Sequence, residues 1–363
     1  MGSWENPRPC TGDPHPIPRV SPLLWAALWA VLAGVFLLEL CLGSVTIPFK
    51  SVLAILMGNS EVPEGWRQIV LLFRLPRAVT AMLAGAALGM AGLMMQTLFR
   101  NPLADPFVLG ISSGASLGVA IVVMAAWGLG WTALIQKAGI SAGASLILAA
   151  TAGAMGILGV VMALARRVES NVTLLIIGLM FGYITGSLVT ILFQFTQEQQ
   201  MQTYITWTFG SFGGVTWRHM TLFAPTLLAG LLVAWSLSKP LNAFLLGEGY
   251  ARSMGVNVGA VRLWIIVGAS LLAGTVTAYC GPIGFLGIAI PHLCRMLMKT
   301  SDHHVLAPAV ILVGAIVALA ADLLAQVPGA RVVLPLNAVT ALIGAPVVVG
   351  IILRRRHTME VGA

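Results

Sequence analysis

An all-α fold, a polytopic membrane helical bundle of about ten transmembrane helices, is what this sequence predicts. Three observations carry that reading. Of 363 residues, 58% are hydrophobic and only 9% are charged, and the mean hydropathy of +0.94 lies outside the range of water-soluble globular domains. Apolar stretches close to the ~20 residues that cross a hydrocarbon core recur along the whole chain. The gaps between them are short, which leaves no room for a separate soluble domain.

Residues 1–22 are rich in proline and polar side chains, lack a dense basic stretch, and lead into an apolar span too long for a signal-peptide core. They predict a disordered N-terminal tail kept in the mature protein. The transmembrane region covers 23–353, and 354–363 form a C-terminal tail. Spans are predicted to begin near Leu23, Ala78, Phe107, Ile140, Val172, Met220, Leu263, Ile283, Val305 and Val332. The eighth, Ile283–Met298, is the shortest and holds Pro291 and His292, so a full span and a partial one both fit its pattern.

Ten spans place both termini on one side. With the termini inside, 13 lysines and arginines fall inside and 7 outside, which predicts cytoplasmic termini by the positive-inside rule. Arg67, Arg74 and Arg77 cluster on the outer side against that trend and call for a functional reason. Glycines at helical packing spacing, Gly85 and Gly89, then Gly110, Gly114 and Gly118, then Gly178, Gly182 and Gly186, predict close helix approach, mostly inside one subunit.

The segment from Lys239 to Arg262 mixes apolar residues with glycine punctuation at Gly247, Gly249, Gly255 and Gly259, which predicts short helical pieces joined by turns. A plain connector would need neither Phe244, Leu245 and Leu246 nor Tyr250 and Met254. The segment reads as a docking surface for a cytoplasmic partner, the competing reading being a stretch lying in the membrane interface.

Several kinds of chemistry are missing from the sequence. The basic residues are scattered singly, without the aromatic-interleaved patch that binds nucleic acid. Cys10, Cys41, Cys280 and Cys294 show neither CxxC nor other metal-ligand spacing, so no metal site is predicted. None of the four lysines follows a glycine, so no phosphate-cradling P-loop can form, and HExxH and GxSxG are absent. No catalytic residue is predicted, and the chain reads as a non-enzyme. Glu39 and Asp322 are the ionisable residues within spans; their positions near helix ends favour satisfied structural carboxylates over a proton path. His292 reads as a structural residue bonding a carbonyl freed by Pro291 rather than a ligand.

Four stretches resemble the FecCD family, the permeases of importers for iron siderophores, haem and vitamin B12. They are RLPRAVTAMLAGAALGMAGLMMQTLFRNPLADPFVLGISSGAS from Arg74, GSFGGVTWR from Gly210, GPIGFLGIAIPH from Gly281 and LPLNAVTALIGAP from Leu334. The resemblance implies a multi-pass subunit of the bacterial inner membrane that pairs with a second copy of itself and carries one path between the copies. It also implies two cytoplasmic ATPase subunits, which use the ATP and Mg, an outer substrate-binding protein, surrounding membrane lipid, and no cofactor on this chain.

The same resemblance assigns residues. Gly247, Glu248, Ala251 and Gly255 match the family's ATPase-coupling pattern. Arg74 and Arg77 match its outer-face arginines that dock the binding protein, and Arg331 replaces a third one where this chain has Gln326. Asn101 and Leu103, with Ser170 and Asn171, correspond to a cytoplasmic gate; Asn101 and Pro102 also suit a helix entry, the amide capping and the proline tolerated in the first turn. Gly178, Gly182 and Gly186 would line the path. The implied cargo is an iron chelate, siderophore or haem, with vitamin B12 the alternative and a proton-coupled transporter the rival from another class.

Overall fold

The computed structural model describes residues 21–59, 62–125, 141–165, 167–168, 170–327 and 332–360, and among these the secondary structure is helical throughout. Apolar helix α1, Pro22–Cys41, is followed by short α2, Phe49–Leu56, and α3, Glu64–Gln68. A six-residue π-helical turn, Ile69–Arg74, joins α3 without a break to α4, Leu75–Leu98. A 3₁₀ turn, Pro106–Leu109, leads into α5, Ile111–Ala125, and then come α6, Ala142–Ala165, and α7, Asn171–Phe193. Short α8, Glu198–Thr208, precedes α9, Trp217–Ser236. The chain then makes two short helices, α10, Ser238–Leu245, and α11, Glu248–Ser253. Helices α12, Val258–Cys280, α13, Leu286–Met298, α14, His303–Gln326, and α15, Leu336–Glu360, complete the bundle.

Ten of these, α1, α4, α5, α6, α7, α9, α12, α13, α14 and α15, answer in order to the ten predicted spans. Seven helical stretches are individually long and apolar enough to cross a membrane, and three shorter apolar helices, Ile111–Met124, Leu286–Met298 and Leu336–Gly350, accompany them. The eighth span is the partial one. Gly281–Gly284 run as non-helical chain, Phe285 takes a left-handed conformation at φ 69°, and only then does the 13-residue α13 begin. The N-terminal tail lies outside the described residues except for its last two, and the helix of α15 continues through Arg354–Arg356 to Glu360 where a tail was predicted.

Helix α4 forms the centre. Every residue from Ala84 to Leu98 is buried, packed against α9, α12, α13 and α14. Its glycines make this possible: a Cβ at Gly85 would overlap the Gly314 carbonyl oxygen of α14, and one at Gly92 the Gly287 carbonyl of α13. The α5–α6 contact is built the same way, with Gly114 against Gly153 and Gly118 against Ala149. In lipid, where apolar burial drives association weakly, backbone approach of this kind supplies the packing.

The motif stretches far apart in sequence interlock. Ser211 N–H donates to the Cys280 carbonyl at 2.8 Å, Asn337 N–H to the Phe209 carbonyl at 3.0 Å, and Gly284 N–H to Asn337 Oδ1 at 3.0 Å. Asn337 thereby satisfies the backbone of Phe209, just before the GSFGG stretch, and of Gly284 in the GPIGF stretch, which no regular helix would satisfy within the membrane region.

Candidate coupling site and path

The sequence of the Lys239–Arg262 segment dictates its shape. Gly247 and Gly255 sit at φ 105° and 83°, conformations that a residue with a Cβ enters only under strain. They bracket α11 and turn the chain in front of it and behind it. Within α11, Ala251 is fully buried, and Phe244 of α10 is buried beside it. Leu246, Tyr250 and Met254 are 63%, 52% and 50% exposed and form an apolar outer face. Phe244, predicted as part of that face, is instead its anchor.

Two polar ties hold the segment to the bundle. Glu248 Oε1 accepts from Asn171 Nδ2 at 2.6 Å, and the same amide donates to the Leu98 carbonyl at 3.1 Å. The first residue of α7, the last residue of α4 and the first of α11 therefore meet at one side chain. The second tie uses residues that sequence reasoning passed over. Asn242 of α10 donates from Nδ2 to Asp302 Oδ1 at 2.6 Å, and its Oδ1 accepts from His303 N–H at 2.8 Å and from Nδ1 at 2.7 Å. On the other side of the ring, His303 Nε2 lies 2.8 Å from the Thr97 hydroxyl of α4. Asp302 also caps α14 through His304 N–H at 2.9 Å. Partial burial alone would raise its pKa, but the hydrogen bonds from Asn242 and the His304 amide outweigh this and hold it below the usual aspartate value. A Ser-Asp-His run before an apolar stretch is a helix-start signal that sequence alone offers for Asp302.

The gate residues divide. Ser170 caps α7, its Oγ accepting from Thr173 N–H at 3.3 Å, and Asn171 makes the tie just described. Asn101 does not cap the third span: its Oδ1 accepts from Leu103 N–H at 2.9 Å in an exposed turn, and α5 begins only at Ile111. The chain between them is occupied by the 3₁₀ turn, whose cap is Asp105, accepting from Phe107 N–H at 2.8 Å. Leu103 is 40% exposed. His292 Nε2 lies 3.1 Å from the Pro102 carbonyl, a contact that ties α13 to this turn.

Along α7 the three glycines differ. Gly178 is buried, and a Cβ there would overlap the Val108 carbonyl, so it packs against the 3₁₀ turn. A Cβ at Gly182 would meet only Ser113 Oγ at 3.5 Å, and one at Gly186 would face open space. Around them Val172, Ile176, Leu179 and Tyr183 stand exposed, an apolar helix face that the protomer leaves uncovered.

At the opposite end of the bundle Arg74 and Arg77 were predicted as surface docking cations. The second span begins at Glu64, not Ala78, so Arg74 lies about 15 Å inside the helix from its start. Arg74 is buried and donates from Nη1 to the Leu40 carbonyl at 2.7 Å and from Nη2 to the Val45 carbonyl, serving as the cation at the C-terminus of α1. That expectation is corrected by its burial. Arg77 grips Asp322 of α14 side-on, Nε to Oδ2 at 2.7 Å and Nη2 to Oδ1 at 2.8 Å, with Nη1 toward the Gly213 turn. Gln326 bridges the carboxylates, donating to Glu39 Oε1 and to Asp322 Oδ2 at 3.3 Å. Asp322 is thus the satisfied carboxylate that its position predicted, whereas Glu39 keeps a buried Oε2 without a hydrogen-bond partner. Arg67, 45% exposed, remains at the tip; Arg331 lies outside the described residues.

Comparison with known proteins agrees over nearly the whole chain. The model of the FecCD transport family matches residues 31–354. The vitamin B12 import system permease protein BtuC of Klebsiella pneumoniae subsp. pneumoniae is 36% identical over 331 residues, 91% of this chain and 93% of the relative. The hemin transport system permease protein HmuU of Yersinia pestis is 34% identical over 344 residues, 93% of this chain and 98% of the relative. A solved ABC transporter assigned to the metal-chelate type, in an inward-facing conformation, superposes with a TM-score of 0.78 at 27% identity, covering 92% of this chain and all of that one. With the family model spanning the bundle from α1 to α15, the chain belongs to the FecCD transport family.

Proposed function

We propose that this chain is the membrane-spanning permease subunit of an ABC importer in the bacterial inner membrane, carrying an iron chelate, siderophore or haem, inward between two copies of itself. The single observation behind the mechanism is the double tie of the Lys239–Arg262 segment, through Asn171 to α7 and through Asn242 to α14 and α4. Partner ATPases seated on Leu246, Tyr250 and Met254 would use ATP and Mg, and a shift of the segment would pull both ties at once. Helices α7 and α14 are the elements that then tilt between two packings. The chain itself performs no covalent chemistry. A substrate-binding protein would dock at the Arg77 end, where Arg67 is exposed and Arg77 retains partial access. Both termini lie on the cytoplasmic side in this reading.

Vitamin B12 is supported equally as cargo by the identity to its permeases. Uptake of labelled ferric siderophore, haem and cobalamin into vesicles holding this chain, its ATPase and its binding protein distinguishes them. Import of an iron chelate alone supports the first reading, import of cobalamin the second, and import of none of the three overturns both.

A further inference from the structure

Helices α6 and α9 each pack on α12, and between them the side chains leave a cavity of about 270 Å³. It starts at mid-depth, where Ser270 lies at the centre of the 23-residue α12, and runs to Tyr279 near the end of that helix. This is the half of the bundle away from the coupling segment. The floor is made by Ile111, Ala154, Ser270 and Gly274, all buried. Gly274 gives it depth: a Cβ there would meet Ile111 Cγ2 only at 3.5 Å and Ala154 Cβ only at 3.8 Å. Tyr279 closes the far end, its ring 5.2 Å from that of Phe223 in α9. Met155, Leu222 and Leu271 form the sides and are exposed, so the cavity opens sideways from the bundle, where a spanning protein meets lipid.

Among the described residues the lining carries no charge. Thr151 and Thr226 spend their hydroxyls on the Ile147 and Leu222 carbonyls of their own helices, at 2.8 and 2.7 Å. A buried water needs about two to four polar partners. The one side-chain hydroxyl on the floor is that of Ser270, which is buried without a hydrogen-bond partner among the described residues. An apolar space of ~150 Å³ already takes a benzene-sized guest and stays dry, and an unfilled void forfeits dispersion contacts along its wall. From this geometry we infer that the cavity binds one acyl chain of a membrane phospholipid, which enters between Met155 and Leu222 and ends on the floor at Gly274. A helix, about 10 Å across, is too wide for the space, and an uncharged lining selects the tail rather than the headgroup. A chain in this place wedges α6 and α9 against α12, the helix that continues the Lys239–Arg262 segment. Only that consequence, not the binding, rests on the coupling role proposed above.

Photolabelling tests the site without requiring transport. The full chain is reconstituted into phosphatidylcholine vesicles doped with phosphatidylcholine bearing a diazirine near the end of one acyl chain, and cross-linked residues are mapped by peptide mass spectrometry. Surrounding lipid reaches the exposed Met155 in any case, so its labelling reports an embedded, folded bundle. Labelling of Ser270 or Gly274 requires a tail inside the cavity and is the expected result. Gly274→Leu and Ala154→Leu, on two different helices, fill the space and are expected to cut floor labelling several-fold while Met155 keeps its label. A wild-type floor without label beside a labelled Met155 overturns the proposal, and so does floor labelling that persists in full in both variants. Floor labelling by a diazirine fatty acid that phosphatidylcholine does not compete away also overturns it, assigning the cavity to a free amphiphile.

Discussion

Asn171 Nδ2 lies 2.6 Å from Glu248 Oε1 across 77 positions of sequence, and this contact joins a residue assigned to the gate to one assigned to coupling. A hydrogen bond to a charged group contributes about 1.5–3 kcal/mol. Asn171→Ala is expected to lower import several-fold more than it lowers ATP hydrolysis by the assembled complex, because it cuts the link and leaves the ATPase surface intact. Glu248→Gln alone is expected to be milder, and the double variant to cost less than the sum of the singles. Strictly additive losses in that cycle would show that the two side chains do not act together.

The Arg77–Asp322 pair predicts a large asymmetry. Asp322 is 1% exposed, so Arg77→Ala strands a buried charge and is expected to destabilise the bundle by about 3–5 kcal/mol, whereas Arg77→Met with Asp322→Leu is expected to be close to neutral. Thermal unfolding in detergent reads both. Equal transition temperatures for wild type and Arg77→Ala would contradict the pairing.

Packing glycines and open glycines should separate cleanly. Gly92→Leu places a side chain into the Gly287 carbonyl and is expected to abolish accumulation in the membrane, and Gly178→Leu to reduce it, while Gly186→Ala meets nothing within 4 Å and is expected to accumulate as wild type. Immunoblots of membrane fractions decide it.

Asp302 gives a pH dependence. Its folded-state pKa is depressed, so the stability it contributes is present above the unfolded value of about 3.9 and is lost as pH falls through the lower folded value. Asp302→Asn is expected to be less stable than wild type at pH 7, with the gap closing below about pH 4. Protease nicking between α10 and α14 as a function of pH measures it; a gap unchanged down to pH 3 would contradict the assignment.

What was legible in the sequence follows from which interactions are local. Span number and order were readable because apolar length is a local property, and the Gly247 and Gly255 turns because glycine marks positive φ. The packing of Gly178 was not readable, since whether a glycine faces a helix or a cavity depends on its neighbour, here Val108. Arg74 was misplaced because the apolar count alone started the second span too late; the π turn at Ile69–Arg74 carries the helix smoothly through the arginines. The Asn242–Asp302–His303–Thr97 network was invisible, because it joins four polar residues drawn from three stretches of chain that only the tertiary fold brings together.

The most direct test of the central claim is the energy source. Vesicles holding this chain with its ATPase and cargo-loaded binding protein are supplied with ATP, and labelled uptake is followed with and without a proton ionophore. Uptake that persists with the ionophore and vanishes when the ATPase is omitted is the predicted result. Uptake by this chain without the ATPase, abolished by the ionophore, would contradict it and return Glu39 and Asp322 to the role of a proton path.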